Sequence, residues 1–160
     1  MVYNHMDIIY KICSLYAAEE DREDLKQEII FQLWKSFPSF REDSKVQTWM
    51  YKVALNTALI GLRKKNRVEH VELLDNHSEI VDVNEEQEIE RKINELYSAI
   101  QQLNQVEKAV IFLYLEKCAY REIADIIGLT DKNVSVILVR SKKKLRTILG
   151  QQKKADDGKQ

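Results

Sequence analysis

The stretch Tyr120–Leu149, YREIADIIGLTDKNVSVILVRSKKKLRTIL, restricts the fold of this chain more than any other. Ile123, Ala124 and Ile127 recur at the spacing of one buried helical face. Gly128 follows, where a helix ends on a left-handed residue, and Thr130 stands where the next helix needs an N-cap oxygen. In the second helix Val134, Leu138, Ser141, Leu145 and Ile148 share a face expected to pack inward. The opposite face carries Lys132, Val136, Val139 and Lys143, flanked by Ser135 and Arg140. Two short-linked helices, one face packed and one presented, make a helix-turn-helix whose second helix fits a DNA major groove. The pattern taken alone also fits an ordinary helical hairpin with a solvated lysine face.

Charge separates these readings better by its distribution than by its sum. The formal net charge is −1, yet Asp131–Lys154 holds one acid against eight bases. From Glu69 to Glu90 there are nine acids and no Lys or Arg. Just before them lies a second basic cluster, Arg63, Lys64, Lys65 and Arg67. A basic, acidic, basic order suits a chain with two anion-facing surfaces. The run Lys142–Lys144 with Arg146 is expected to meet phosphates, which position a protein without reading sequence.

With only four Gly and one Pro, Pro38, the composition favours an all-α fold. No apolar run is long enough to cross a membrane and the first residues carry no secretory pattern, so no stable membrane insertion and a cytoplasmic location are expected. Cys13 and Cys118 lack a CxxC spacing and read as small buried hydrophobes. His70 and His77 flank an acidic stretch, but their spacing fits no zinc pattern, so no metal is expected. No glycine-rich phosphate loop and no nucleophile with a base at recognisable spacing is present, so neither catalysis nor a cofactor is expected.

Along the chain, a first helix is expected over His5–Ala18, with Ile8, Ile9, Ile12 and Leu15 as its apolar set. Asp21 is placed to cap a second, running to about Ser36 before Pro38 stops it. That helix has two stripes: Leu25, Ile29, Leu33 and Phe37 form one, and Asp24, Gln27, Phe31 and Trp34 the other, nearly opposite. One apolar stripe suffices for folding. The second fits a docking surface and fits burial equally well. Ser44 is the expected cap of a third helix, Lys45–Lys65, burying Val46, Trp49, Met50, Val53 and Ile60. Phe40, Arg41, Trp49, Tyr51 and Lys52 bring aromatics and cations together, as stacking on single-stranded DNA requires. Residues 67–84 read as an acidic linker between domains at 1–66 and 85–150. In the second domain a helix over Glu85–Leu103 precedes Gln105–Leu115, with Val106, Val110, Leu113 and Tyr114 packing on the helix-turn-helix, and 151–160 form a polar tail.

Taken together, three stretches resemble the RNA polymerase sigma-70 family, in its small two-domain extracytoplasmic-function branch. Asp21–Phe40, DREDLKQEIIFQLWKSFPSF, is similar to the family's polymerase-docking helix. Ser44–Lys65, SKVQTWMYKVALNTALIGLRKK, is similar to its promoter-melting and −10 recognition helix. Ala99–Leu149 is similar to its −35 recognition domain. The resemblance implies two small helical domains, sigma2-like and sigma4-like, and a chain that binds core RNA polymerase (its β and β′ subunits) and promoter DNA, duplex and single-stranded. Asp24, Gln27, Glu28, Phe31 and Trp34 fall at core-polymerase contacts. Phe40, Arg41, Ser44, Lys45, Trp49, Lys52, Asn56, Arg63, Lys64 and Lys65 fall at the −10 and melting region, whose loop captures a flipped base. Arg121, Lys132, Asn133, Ser135, Val136, Val139, Arg140 and Lys143 fall at the −35 reader. The family also implies an anti-sigma partner. Ile60 stands where the family usually has Asp, and Ile137 where a base is common. Val136 and Val139 replace more polar types, leaving an apolar outward face that suits thymine methyl groups.

Two other readings fit parts of the pattern: a conventional helix-turn-helix regulator that binds two-fold duplex sites alone, and a helical adaptor that binds only proteins.

Overall fold

The computed structural model describes residues 2–40, 45–65 and 85–157. Seven α-helices and no strand are found among the described residues: α1 (Met6–Tyr16), α2 (Arg22–Ser36), α3 (Val46–Lys65), α4 (Glu85–Gln101), α5 (Gln105–Leu115), α6 (Tyr120–Ile127) and α7 (Asp131–Asp157). The expected all-helical class is the observed one. The acidic stretch 67–84, with His70 and His77, lies outside the described residues.

Local chemistry accounts for the element ends. Asn104 accepts a hydrogen bond from the Glu107 backbone N–H at 2.9 Å while the Glu107 carboxylate accepts from the Asn104 N–H, a reciprocal cap for α5. Glu122 accepts from the Ala119 N–H at 2.8 Å and holds the start of α6. Gly128 closes α6 at φ +79°, with its N–H returning to the Ala124 carbonyl. Thr130 Oγ1 accepts from the Asn133 N–H at 3.2 Å, and α7 begins.

Three expectations about elements are corrected. α1 covers Met6–Tyr16, shorter than His5–Ala18. Asp21 makes no side-chain cap to α2; a 3-10 turn over Glu19–Asp21 feeds that helix instead. α2 itself ends at Ser36 as expected, and Pro38 falls in the 3-10 turn that follows, Phe37–Ser39, where its missing N–H costs no helical bond. α7 continues through Gly150 to Asp157 rather than ending at Leu149, because the Gln, Lys and Ala residues that follow Gly150 sit well in a helix.

Packing joins the halves. Ile8, Ile9 and Ile12 of α1, Ile29 and Leu33 of α2, and Met50, Ala54 and Leu55 of α3 form a core continuous with Leu103, Val110, Leu113, Ile123, Val134 and Leu138 from α4–α7. Polar contacts tie the same seam. Lys11 Nζ pairs with the Glu116 carboxylate at 2.8 Å, and the Tyr51 hydroxyl donates to its other oxygen at 2.9 Å. The Tyr16 hydroxyl donates to the Gln105 carbonyl at 2.9 Å, and Gln101 Nε2 donates to the Leu15 carbonyl at 3.1 Å. Tyr51 and Phe112 meet edge-on, their ring centroids 5.8 Å apart.

Candidate nucleic-acid interface

The helix-turn-helix is formed by α6 and α7. Val134, Leu138, Ser141 and Leu145 are buried and Ile148 is half-buried, so the inward face is the expected one. Lys132, Asn133, Arg140 and Lys143 are exposed on the other side, Ser135 is half-buried beside them, and Arg121 is exposed on α6. Between the cations stand Val136, 41% exposed, and Val139, 67% exposed. Ile137 is half-buried at the edge of the core, an ordinary apolar role for that position. Lys142 does not join the outward row: its Nζ lies 3.9 Å from the centre of the Tyr114 ring. Lys144 pairs with Glu107. The expected phosphate-facing run is thus divided: Lys143 and Arg146 are exposed, while Lys142 and Lys144, on either side of Lys143, are engaged within the fold. Val106, expected to pack on the motif, is exposed, and Tyr114, also exposed, meets it through Lys142, while Val110 and Leu113 are fully buried.

The two stripes of α2 differ in exposure at their centres. Ile29 and Leu33 are buried, whereas Trp34 is 75% exposed and Phe31 51% exposed. Their rings lie 6.4 Å apart in a tilted pair. Asp24, Gln27 and Glu28 are exposed on the same helix, with Glu28 accepting from Gln32 Nε2 at 2.8 Å. Ile30, also exposed, adds to this surface; periodicity gave no reason to single it out.

Around the start of α3, Phe40 and Trp49 are half-buried with ring centroids 5.0 Å apart, and Phe37 joins both at 6.4 and 6.2 Å. Phe37 falls by period in the buried stripe of α2. It is instead exposed and part of this aromatic cluster, a pattern visible in FPSF as rings three positions apart. Lys52, Asn56, Arg63 and Lys64 are exposed along α3. Arg41, Ser44 and the side chain of Lys65 lie outside the described residues. Two expectations fail here. Tyr51 is buried and bonded to Glu116, so it offers no ring to a base; burial, with that bond, holds its phenol well above the ordinary value. Ile60 is 51% exposed, because the buried side of α3 runs through Met50, Ala54, Leu55 and Ala58.

Lys45 is exposed and its Nζ sits 3.6 Å from the Glu122 carboxylate of α6. The −10 candidate row and the helix-turn-helix therefore touch. Among the described residues no cluster of His, Cys, Asp or Glu is arranged to hold a metal, and no helix is long and apolar enough to cross a membrane.

Comparison with known proteins accords with this arrangement. The sigma-70 region 2 model matches residues 1–68, and the sigma-70 region 4 model matches residues 93–145. RNA polymerase sigma factor SigV of Bacillus subtilis is 26% identical over 147 residues, covering 91% of this chain and 86% of that protein. The ECF RNA polymerase sigma-E factor of Haemophilus influenzae is 27% identical over 139 residues, covering 79% and 74% respectively. In fold, the chain is similar to the sigma factor RpoE of Bartonella quintana, solved with the anti-sigma factor NepR: TM-score 0.70, 18% identity, 92% of this chain and 95% of that one. A helix-turn-helix that turns cations and two valines outward, an α2 that turns out Phe and Trp, and region 2 and region 4 matches in this order all lead to one assignment. The chain belongs to the sigma-70 family, in its extracytoplasmic-function branch, and its role lies in transcription initiation.

Proposed function

We propose that this chain is a promoter-specificity subunit that binds core RNA polymerase, recognises −10 and −35 elements, and promotes local melting. The observation that carries the reading is the second stripe of α2: Phe31 and Trp34 stand in solvent on a helix whose core face is already filled by Ile29 and Leu33. Large exposed aromatics grouped with Asp24, Gln27 and Glu28 suit a protein partner better than water. Core polymerase, through its β and β′ subunits, is that partner.

Phe40, Trp49, Lys52, Asn56, Arg63 and Lys64, with Arg41, Ser44, Lys45 and Lys65, engage the −10 region. Rings and cations together hold an unpaired strand by stacking and phosphate attraction, which offsets part of the cost of opening the duplex. Arg121, Lys132, Asn133, Ser135, Val136, Val139, Arg140 and Lys143 engage the −35 duplex from the major groove. The chain itself supplies binding and orientation, and the polymerase supplies the chemistry. An anti-sigma partner is part of the reading, since the similar sigma factor RpoE was solved in complex with the anti-sigma factor NepR. The place of action is the cytoplasm.

The test is co-elution of the chain with purified core polymerase. The wild type forms a stable complex, and Trp34→Ala weakens it about ten- to a hundredfold, as expected for an interface anchor. An unchanged thermal midpoint shows that the fold is intact. A chain that never associates with core polymerase overturns the proposal.

A further inference from the structure

We infer that Val136 and Val139 make this chain a reader of thymine methyl groups, on base pairs one or two steps apart in the upstream promoter element. The inference rests on the proposed −35 role of the helix-turn-helix and adds the chemical identity of what part of it reads.

Both valines project from the outward face of α7 and are exposed, while the apolar needs of this helix are met by Val134, Leu138 and Leu145 on the other side. The fold gives no reason for two branched apolar side chains there. Each leaves its methyls in water, which is unfavourable unless something covers them. Charge identifies the occupant. Lys132 lies one turn before Val136 and Lys143 one turn after Val139, with Arg140 alongside, all exposed, and no acid occurs between Lys132 and Lys154. An apolar pair bracketed by cations on a helix-turn-helix reading helix matches a polyanion with an apolar spot between its phosphates. In the major groove that spot is the C5-methyl of thymine, the only apolar group a base pair presents there.

Spacing sets the window. Side chains three apart on a helix are separated by about 5–6 Å at Cβ, and one base pair rises about 3.4 Å. The valines therefore reach methyls about one to two base steps apart. Neither side chain has a donor or acceptor, so they favour thymine over cytosine through the methyl while Asn133, Ser135 and the cations handle polar edges.

The experiment uses holoenzyme reconstituted from the full chain and core polymerase. On a promoter it initiates from, each thymine of the upstream element is exchanged singly for deoxyuridine, which removes the methyl and leaves pairing intact. Binding and initiation are both read. Loss of one buried methyl corresponds to about three- to fivefold in affinity. The expected result is such a loss at two positions no more than two steps apart. In Val139→Ala, one of these sensitivities disappears: thymine and uracil templates bind alike, at the level the wild type reaches on uracil. Val139→Thr, which keeps one methyl, retains part of it. Initiation that is indifferent to uracil at every position overturns this inference alone. So does a uracil effect that survives in the double variant Val136→Ala, Val139→Ala. A loss of initiation by Val139→Ala with no uracil effect assigns the pair to a protein contact and overturns it too. A chain that supports no initiation anywhere overturns the underlying reading.

Discussion

Tyr51 and Glu116, 65 positions apart, are joined by a 2.9 Å hydrogen bond in which the phenol donates to the carboxylate. Lys11 closes on the other oxygen at 2.8 Å, so one acid from the region 4 half holds two helices of the region 2 half. The ring of Tyr51 is buried and packs on Phe112, which places the bond where water competes poorly. Tyr51→Phe keeps the ring and removes the hydroxyl. It is expected to lower stability by about 1.5–3 kcal/mol, as for a hydrogen bond to a charged group. Urea unfolding measures this, and an unchanged midpoint contradicts it.

The same junction bears on promoter engagement. Elements named −10 and −35 are separated by roughly 25 base pairs, or about 85 Å at 3.4 Å per pair, yet Lys45 and Glu122 from the two halves lie 3.6 Å apart. Reading both elements at once requires the halves to part. Glu116→Gln loosens the Lys11 and Tyr51 contacts without touching a DNA or core-polymerase candidate. It is expected to speed holoenzyme formation severalfold in stopped-flow mixing with core polymerase. Equal rates would mean that opening does not limit assembly.

Alkali is expected to weaken the fold through Cys13. This thiol is buried and raised to about 11 from an ordinary 9.0, chiefly by burial. Above pH 9 the unfolded chain gives up this proton while the folded chain keeps it, so stability falls as pH rises from 9 to 11. Lys11, raised mainly by its hydrogen bond with Glu116, and Tyr51, raised by burial and the same carboxylate, push in the same direction at higher pH. Between pH 8.5 and 10.5 the Cys13 contribution is on the order of 1 kcal/mol. Urea midpoints across that range check the slope, which is shallower in Cys13→Ala.

Glycine positions make a paired prediction. An added Cβ at Gly61, inside α3, meets nothing within 4 Å, so Gly61→Ala is expected to stabilise the chain by about 0.5–1 kcal/mol. Gly128 also has space around it but sits at φ +79°, so Gly128→Ala is expected to destabilise by about 1 kcal/mol or more. Thermal midpoints that move the same way in both would contradict this account of the turn between α6 and α7.

Much of this was legible in the sequence where the physics is local. Gly128 and Thr130 announce the turn because a left-handed residue and an N-cap oxygen are chemical requirements of adjacent positions. The inward and outward faces of α7 follow from a period of 3.6. The stripe at Phe31 and Trp34 was legible as a pattern but not as a surface, since periodicity does not say which side of a helix other elements cover. Tyr51 shows the same limit in reverse. Aromatic and close to Lys52, it reads as a stacking residue until α5 buries it from a distant part of the chain. Ile60 reads as core by type and is exposed because it falls on the side of α3 away from the buried row Met50, Ala54, Leu55 and Ala58. The Glu116 junction has no sequence signature, because its partners lie 65 and 105 positions away.

Transcription from a genomic-fragment library, with purified core polymerase in the presence and absence of this chain, tests the central claim most directly. The account predicts initiation at discrete sites only when both are present, with shared sequence upstream of those starts at −10 and −35. Start sites that do not change when the chain is added, while the chain alone protects duplex DNA, would contradict it.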